Sequence, residues 1–415
     1  MERGRRQRSN PSSSSSTRSG SRKFPSNSTK DAKFPSANHD NPDFVIPTSV
    51  AREEEDLSSG DSRSLPALVG TCPFMCPAGE RAQRERLRDL AVFERLDGNP
   101  GKTSPGLAVK KFCRTISIRH VQASDVRPLP VLEDTLDHLL RLLDSTQHPF
   151  HVVHDFIFDR TRSIRQDLSM QRIVNEKALY MYEKMVKFHV MSLHKMRRRS
   201  DTNTSSVHYL NMEQLTKALA SLLDLYDANR DSDSMYENEA EFRSFYVLLH
   251  LGSHSQPTGE SLSLWFRHVP AQIIKSKEMC FARRILRFFR IGNYRRFLLA
   301  TAAEASYLQY CIIEPYINEV RALALSCISS GGYNLQPYPL AHLSKLLMMK
   351  ESDLVSFCND CGLQTCTDEE GNYLLPTKQT TFSCPKGGFQ SYSFAEAYKR
   401  QRGLGLIIIN LGTYS

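Results

Sequence analysis

Between Pro149 and Gly252 the chain has neither a proline nor a glycine, although it carries 20 of each in 415 residues. Folds of strands and turns punctuate far more often, because tight turns draw on the fixed φ of proline and the positive φ of glycine. The uninterrupted stretch therefore predicts long helices. Within it Val174, Ala178, Met181, Met185 and Phe188 recur at alternating steps of four and three, and Leu179, Tyr182, Val186, His189 and Leu193 form an adjacent stripe. A helix apolar over so wide an arc is covered on more than one side.

The same spacing recurs before this stretch at Leu132, Leu136, Leu139, Leu140 and Leu143. It recurs again later at Leu215, Leu219, Leu222, Leu223 and Tyr226, and at Phe242, Phe245, Tyr246 and Leu249. Asn211 followed by Gln214 reads as a capping box opening the first of these later helices, the one through Leu215. Successive helices that each need neighbours predict an all-α fold, a degenerate helix-turn-helix (TPR-like) repeat array over residues 71–328 with no strict sequence period. Ahead of it, Pro77 sits where a helix starts, and Leu87, Leu90, Val92 and Phe93 follow at roughly helical spacing.

After Gly331 and Gly332 the pattern changes to helix, turn, helix and hairpin. Ser352 suits an N-cap, Gly362 a C′ position and Gly371-Asn372 a turn between short strands, an order that predicts a C-terminal winged helix over 329–384. Residues 385–415 read as an irregular tail in which the apolar LIIINL run finds no place. Residues 1–70, rich in Ser, Pro, Asn and charge, bury too little surface to offset their ordering entropy and read as a disordered basic tail closed by Glu53, Glu54, Glu55 and Asp56.

Lys and Arg number 54 against 45 Asp and Glu, a formal excess of +9 with a pI near 9.0, which favours polyanionic partners. The first fifty residues hold nine basic and four acidic side chains, so more than half of that excess lies in the tail. Arg3, Arg5, Arg6 and Arg8 fit either nuclear import and loose nucleic-acid attraction or a solvated arm. No apolar run reaches the ~18–20 residues of a membrane span and the start lacks a secretory apolar core, which predicts a soluble, intracellular chain without membrane insertion.

The ten cysteines lack the dense framework of a secreted domain and read as reduced thiols. Cys72 and Cys76 lack a second pair at finger spacing. Of Cys358, Cys361, Cys366 and Cys384, the first two fall on a predicted helix, where packing is the simpler use of a thiol, so no metal is expected. Arg400-Gln401-Arg402-Gly403-Leu404-Gly405 matches an R-x-x-G-x-G coenzyme loop but lacks the strand before and helix after that would aim its N–H groups. With no nucleophile elbow, phosphate-cradling loop or paired metal-binding histidines, and with His189 read as a core residue, the chain is expected to be no enzyme and to need no cofactor.

Two charged constellations remain. Arg160, Arg162 and Arg165, beside Asp159 and Asp167, fit either an ion-pair lattice that locks the array or a surface that recruits a protein or RNA. Arg283, Arg287 and Arg290 share one helical face within a run that also holds Arg284, Arg295 and Arg296, interleaved with Phe281, Phe288, Phe289, Tyr294 and Phe297. That pattern offers phosphate contacts, with the aromatics largely on the opposite, core-facing side. In the predicted winged helix the candidate contacts are Lys345, Lys350, Lys378 and Lys386, too few for tight binding alone, so RNA binding should be weak, salt-sensitive and largely sequence-independent.

The segments CPFMCPAGERAQRE, VKKFCRTIS, RPLPVLEDTLDHLL, FIFDRTRSIRQDLSMQ, EKMVKFHVMSLH, NMEQLTKAL and NEAEFRSFYVLLHL, in this order, resemble the SAC/GANP homology region over residues 71 to about 320. The block of Asp159, Arg160, Arg162, Ile164, Arg165, Gln166 and Asp167 is its most specific part. The resemblance implies a non-enzymatic scaffold in a PCI-like arrangement, packed beside a PCI-domain partner that is clamped by a small acidic disordered subunit. It also implies a role coupling transcription to mRNA processing and export, in the nucleoplasm or at the nuclear pore, with the cytoplasm a further location. No phenylalanine-glycine repeats, long trailing helix or acetyltransferase-like domain accompany it, so the chain reads as a short member whose contact with pore proteins is not implied through those parts. The rival expectation is a protein-only interaction module of a centrosomal, signalosome-like or proteasome-lid-like assembly.

Overall fold

The computed structural model describes residues 68–384, apart from 116–120, 146, 198–203, 231–235, 253–260 and 332–335. Nearly all of the tail read as disordered, the irregular C-terminal tail with Lys386, and the Arg400–Gly405 loop lie outside the described residues.

Helix α1 (Ala78–Leu87) follows Pro77, as its sequence predicts, and stops where Arg88 turns left-handed at φ 54°. That turn breaks the expected continuation: Leu90 is buried, whereas Leu87 and Val92 are exposed, the latter in a short 3-10 turn over Val92–Glu94. An irregular segment then leads to α2 (Leu129–Arg141), which buries Leu132, Leu136, Leu139 and Leu140. Helix α3 (Phe150–Met170) begins directly after Pro149.

Helix α4 (Glu176–Arg197) buries both predicted stripes along α5 (Thr204–Ala228), except that Val174 precedes the helix and is exposed. Helix α5 starts well before Asn211, so the predicted capping box is incorrect. Asn211 is interior and its side chain serves a tertiary contact described below. Helix α6 (Glu239–Leu248) follows, then short α7 (Leu262–His268) and α8 (Ala271–Lys275), and then α9 (Lys277–Arg290), α10 (Tyr294–Glu304) and α11 (Tyr307–Gly331).

Helix α6 lies against α9, and α11 returns across the array to touch α4, α6 and α10. Phe242, Phe245, Phe281 and Phe297 are fully buried at these contacts, each contributing about 1.5–3 kcal/mol by removal from water. Where the chain leaves α6, a Cβ at Gly252 would lie 2.7 Å from the Tyr316 ring, so a larger residue there would require that ring to shift.

The chain ends, among the described residues, in β1 (Tyr338–Pro339), α12 (Leu340–Leu347), α13 (Glu351–Asp360), β2 (Cys366–Thr367) and β3 (Tyr373–Leu375). The strands form an antiparallel sheet in the order β1-β3-β2, with Tyr338 opposite Leu375 and Cys366 opposite Leu374. Lys350, not Ser352, is the N-cap of α13, because the helix already begins at Glu351. Gly362 closes it at φ 71°, its N–H donating to the Asn359 carbonyl. Among the described residues no helix is long and apolar enough to cross a membrane.

Candidate functional site

Helix α3 contributes Arg160 and Asp167 to two clusters of buried charge. Asp167 accepts from Lys110 Nζ and Arg127 Nε, each at 2.7 Å, and all three side chains are buried. Arg127 also donates to Ser163 Oγ at 2.8 Å and to the Met75 carbonyl at 3.3 Å, and Ser163 Oγ donates to the Lys110 carbonyl. The segment between α1 and α2, which among its described residues forms only an isolated bridge between Leu96 and Asn99, is thereby fastened to α3 through side chains.

A second knot joins α1 to α3. The buried Glu94 carboxylate takes the guanidinium groups of Arg84 and Arg160 and the N–H groups of Ala91 and Val109, the last two at 3.0 Å. Burial pushes its pKa up, but Arg160, Arg84 and the Val109 N–H outweigh that and hold it below the ordinary carboxylate value. The carboxylate therefore stays charged at neutral pH.

Arg160, predicted either as lattice or as recruiting surface, is thus buried and bonded to Glu94 and Asp159. Arg162 stacks on Phe112, its guanidinium carbon 3.8 Å from the ring centroid, and Arg165 donates to Gln214 of α5. All three are engaged in holding α3 to its neighbours.

Between α3, α4 and α5 lies a buried amide that sequence reading misassigned. Asn211 Oδ1 accepts from His189 Nδ1 at 2.9 Å and from His154 Nε2 at 3.3 Å, while its Nδ2 donates to the His189 carbonyl at 2.9 Å. Burial, reinforced by Arg165, lowers the His189 pKa from 6.5 to about 3, so the imidazole is neutral and its Nε2 has no partner. The group accepts a proton far more readily unfolded than folded. Its contribution to stability is complete above pH 6.5 and is lost as pH falls towards 3, by up to about 1.4 kcal/mol per pH unit. Urea unfolding at pH 7 and pH 5 should therefore show His189→Gln losing about 2 kcal/mol less than the parent on acidification; equal losses would mean that another group titrates.

Cys76, Cys358 and Cys361 are buried, and burial pushes each thiol up to about 12. These sulfurs are protonated and pack in the core.

Helix α9 carries a face of exposed charge. Arg283, Arg287 and Arg290 point outward, while Phe281, Ile285 and Leu286 of the same helix are buried. Arg284 is bonded to Glu304, but among the described residues no carboxylate lies within ion-pair distance of Arg283, Arg287 or Arg290. These three rim a groove of about 350 Å³ between α7 and α9, floored by Leu262, Phe266, Leu286 and Ile291. Sequence spacing could find the arginine face; the groove depends on where α7 packs, which no local pattern encodes. Lys345, Lys350 and Lys378 are exposed on the terminal strand-and-helix unit and do not line this groove.

With the geometry in view, comparison with known proteins gives a consistent result. The pattern of the SAC3/GANP family matches residues 75–367. The chain is similar to SAC3 family protein B of Arabidopsis thaliana, 35% identical over 321 residues that cover 76% of this chain and 19% of that protein. It is also similar to SAC3 family protein 1 of Schizosaccharomyces pombe, 29% identical with 76% and 32% covered, and to Protein xmas of Drosophila melanogaster, 28% identical with 82% and 16% covered. The chain thus spans less than a third of the length of these relatives.

Proposed function

The chain belongs to the SAC3/GANP family, and on that premise we propose that it is a non-enzymatic nuclear scaffold coupling transcription to mRNA processing and export. In this reading the helical array over 71–328 and a winged helix over 329–384 pack beside a PCI-domain partner, itself clamped by a small acidic disordered subunit. The assembled pair presents a composite surface to RNA, and contact with nuclear pore proteins belongs to the same role.

The observation that carries the RNA part is the α9 face: three exposed arginines on one helix side without carboxylate partners among the described residues. Like charges at i, i+4 cost a helix a few tenths of a kcal/mol, so an external polyanion would relieve a standing repulsion. Arg162 and Arg165 sit at the junction of α3 with its neighbours, where they serve the frame on which such a surface rests. Lys345, Lys350 and Lys378 would extend the surface only once a partner adds charge.

The test is RNA binding by the full chain in complex with its PCI-domain partner, measured against salt. Reversing Arg287 and Arg290 to Glu should weaken binding at least about tenfold at low salt and reduce the salt slope by about one per contact removed. Helical signal and partner binding should be unchanged. Equal RNA affinity in the reversed protein would remove this face from the function, and a partner that binds while no RNA does would favour a protein-only module.

A further inference from the structure

Resting on the RNA reading above, we propose that the groove between α7 and α9 receives an unpaired nucleobase, so that this surface selects single-stranded over duplex RNA. A duplex would meet Arg283, Arg287 and Arg290 with its phosphates, but its bases are stacked and paired and would leave the groove's apolar floor unfilled. A single strand offers both: phosphates for the arginine rim, and base faces for Phe266 and the aliphatic side chains beside it.

Three features of the site point the same way. The Arg283 guanidinium carbon lies 5.5 Å from the Phe266 ring centroid, within cation–π range, so a cation and an aromatic ring are already paired beside the opening, the two groups on which a base can stack. Ile291 is 61% exposed at the end of the groove, an apolar surface that nothing in the described chain covers. Arg267 at the end of α7 is exposed too, so positive charge continues beyond the groove. A run of cations longer than the groove matches a polymer charged at every residue better than a peptide with a few carboxylates around an apolar anchor.

The experiment uses the full chain with its PCI-domain partner and a fluorescent oligouridine, alone or annealed to complementary oligoadenylate. The single strand is expected to bind at least about tenfold more tightly than the duplex. Phe266→Ala should weaken the single strand by about tenfold, the effect of losing one stacked base, and leave the duplex unchanged. Because Phe266 is half-buried, Ser263→Glu serves as a second variant. Ser263 is exposed in the groove lining, and a carboxylate there should repel the strand without disturbing the core. Equal affinity for both RNA forms, insensitive to both substitutions, would overturn the base pocket and leave the RNA reading standing. Failure to bind either form would instead overturn the RNA reading itself. A leucine-containing acidic peptide that binds in a Phe266-dependent way where oligouridine does not would assign the groove to a protein segment and overturn the proposal.

Discussion

Asp167→Ala should destabilise the chain by about 3–5 kcal/mol, the cost of breaking a buried ion pair by removing one partner, and lower its melting temperature by roughly 6–20 °C. The carboxylate has no exposed side-chain surface and faces two cations, Lys110 and Arg127, which are themselves buried. Without it both charges remain in the interior with only neutral acceptors: the Asp125 carbonyl for Lys110, and Ser163 and the Met75 carbonyl for Arg127. Desolvation, not the lost attraction alone, sets the size of the effect, so Asp167→Asn should recover only part of it.

The exposed pair Lys177–Glu133 provides the contrast. Its lysine side chain is 60% exposed, and removing it should cost no more than about 1 kcal/mol. Calorimetry on the two variants decides the matter. If Asp167→Ala costs as little as the surface change, the lattice is not what fastens the α1–α2 segment to α3. Limited proteolysis should agree, with cleavage between α1 and α2 accelerated in Asp167→Ala relative to the parent chain, because the described part of that segment has only an isolated bridge to fall back on.

Much of this frame is legible in the sequence because helix burial is periodic. The α4 stripes through Ala178, Met181, Met185 and Phe188 and through Tyr182, Val186 and His189 are buried as spaced, and the arginine face of α9 follows from i, i+4 and i+7 alone. What is not legible is set by contacts distant in sequence. Asp159 and Arg160 sit side by side, yet the carboxylate that buries Arg160 is Glu94, separated from it by 66 positions and carried on a 3-10 turn. Asn211 fits a capping signature, but two histidines from α3 and α4 claim its side chain, and the helix runs on through it. Leu87, Leu90, Val92 and Phe93 look helical in spacing only until a left-handed Arg88 ends the helix. Short polar signatures lose to tertiary partners, whereas long apolar periodicities do not.

The second large effect is expected at Arg321, where the array meets the terminal unit. This α11 side chain is fully buried. Its Nε donates to the Leu347 carbonyl and one Nη to the Met348 carbonyl, each at 3.0 Å, while the other Nη reaches Asn318 Oδ1 at 3.0 Å. Leu347 and Met348 end α12, and Met348 is left-handed at φ 55°. The guanidinium therefore satisfies carbonyls that the helix end leaves open, where the helix dipole is negative. Burial lowers its pKa to about 10, so it keeps its proton at neutral pH.

Arg321→Met retains much of the packed stem and removes every donor. Each orphaned buried carbonyl costs about 1–3 kcal/mol, so a loss of about 2–5 kcal/mol is expected, concentrated at the junction of α11 and α12. Arg321→Lys, a point donor in place of a fork, should fall between. Hydrogen exchange separates this from general destabilisation: protection should fall across α12, α13 and the three strands while α2 to α6 keep theirs. A further tie, the Lys378 N–H to the Ser329 carbonyl at 2.7 Å, is a single hydrogen bond and should not hold the unit alone. Uniform loss of protection, or none, would mean that the terminal unit is held by its apolar contacts and not by Arg321. The localised loss, with RNA affinity of the partnered chain falling alongside it, would show that the terminal unit has to be rigidly set against the array for Lys345, Lys350 and Lys378 to share one anionic strand with α9.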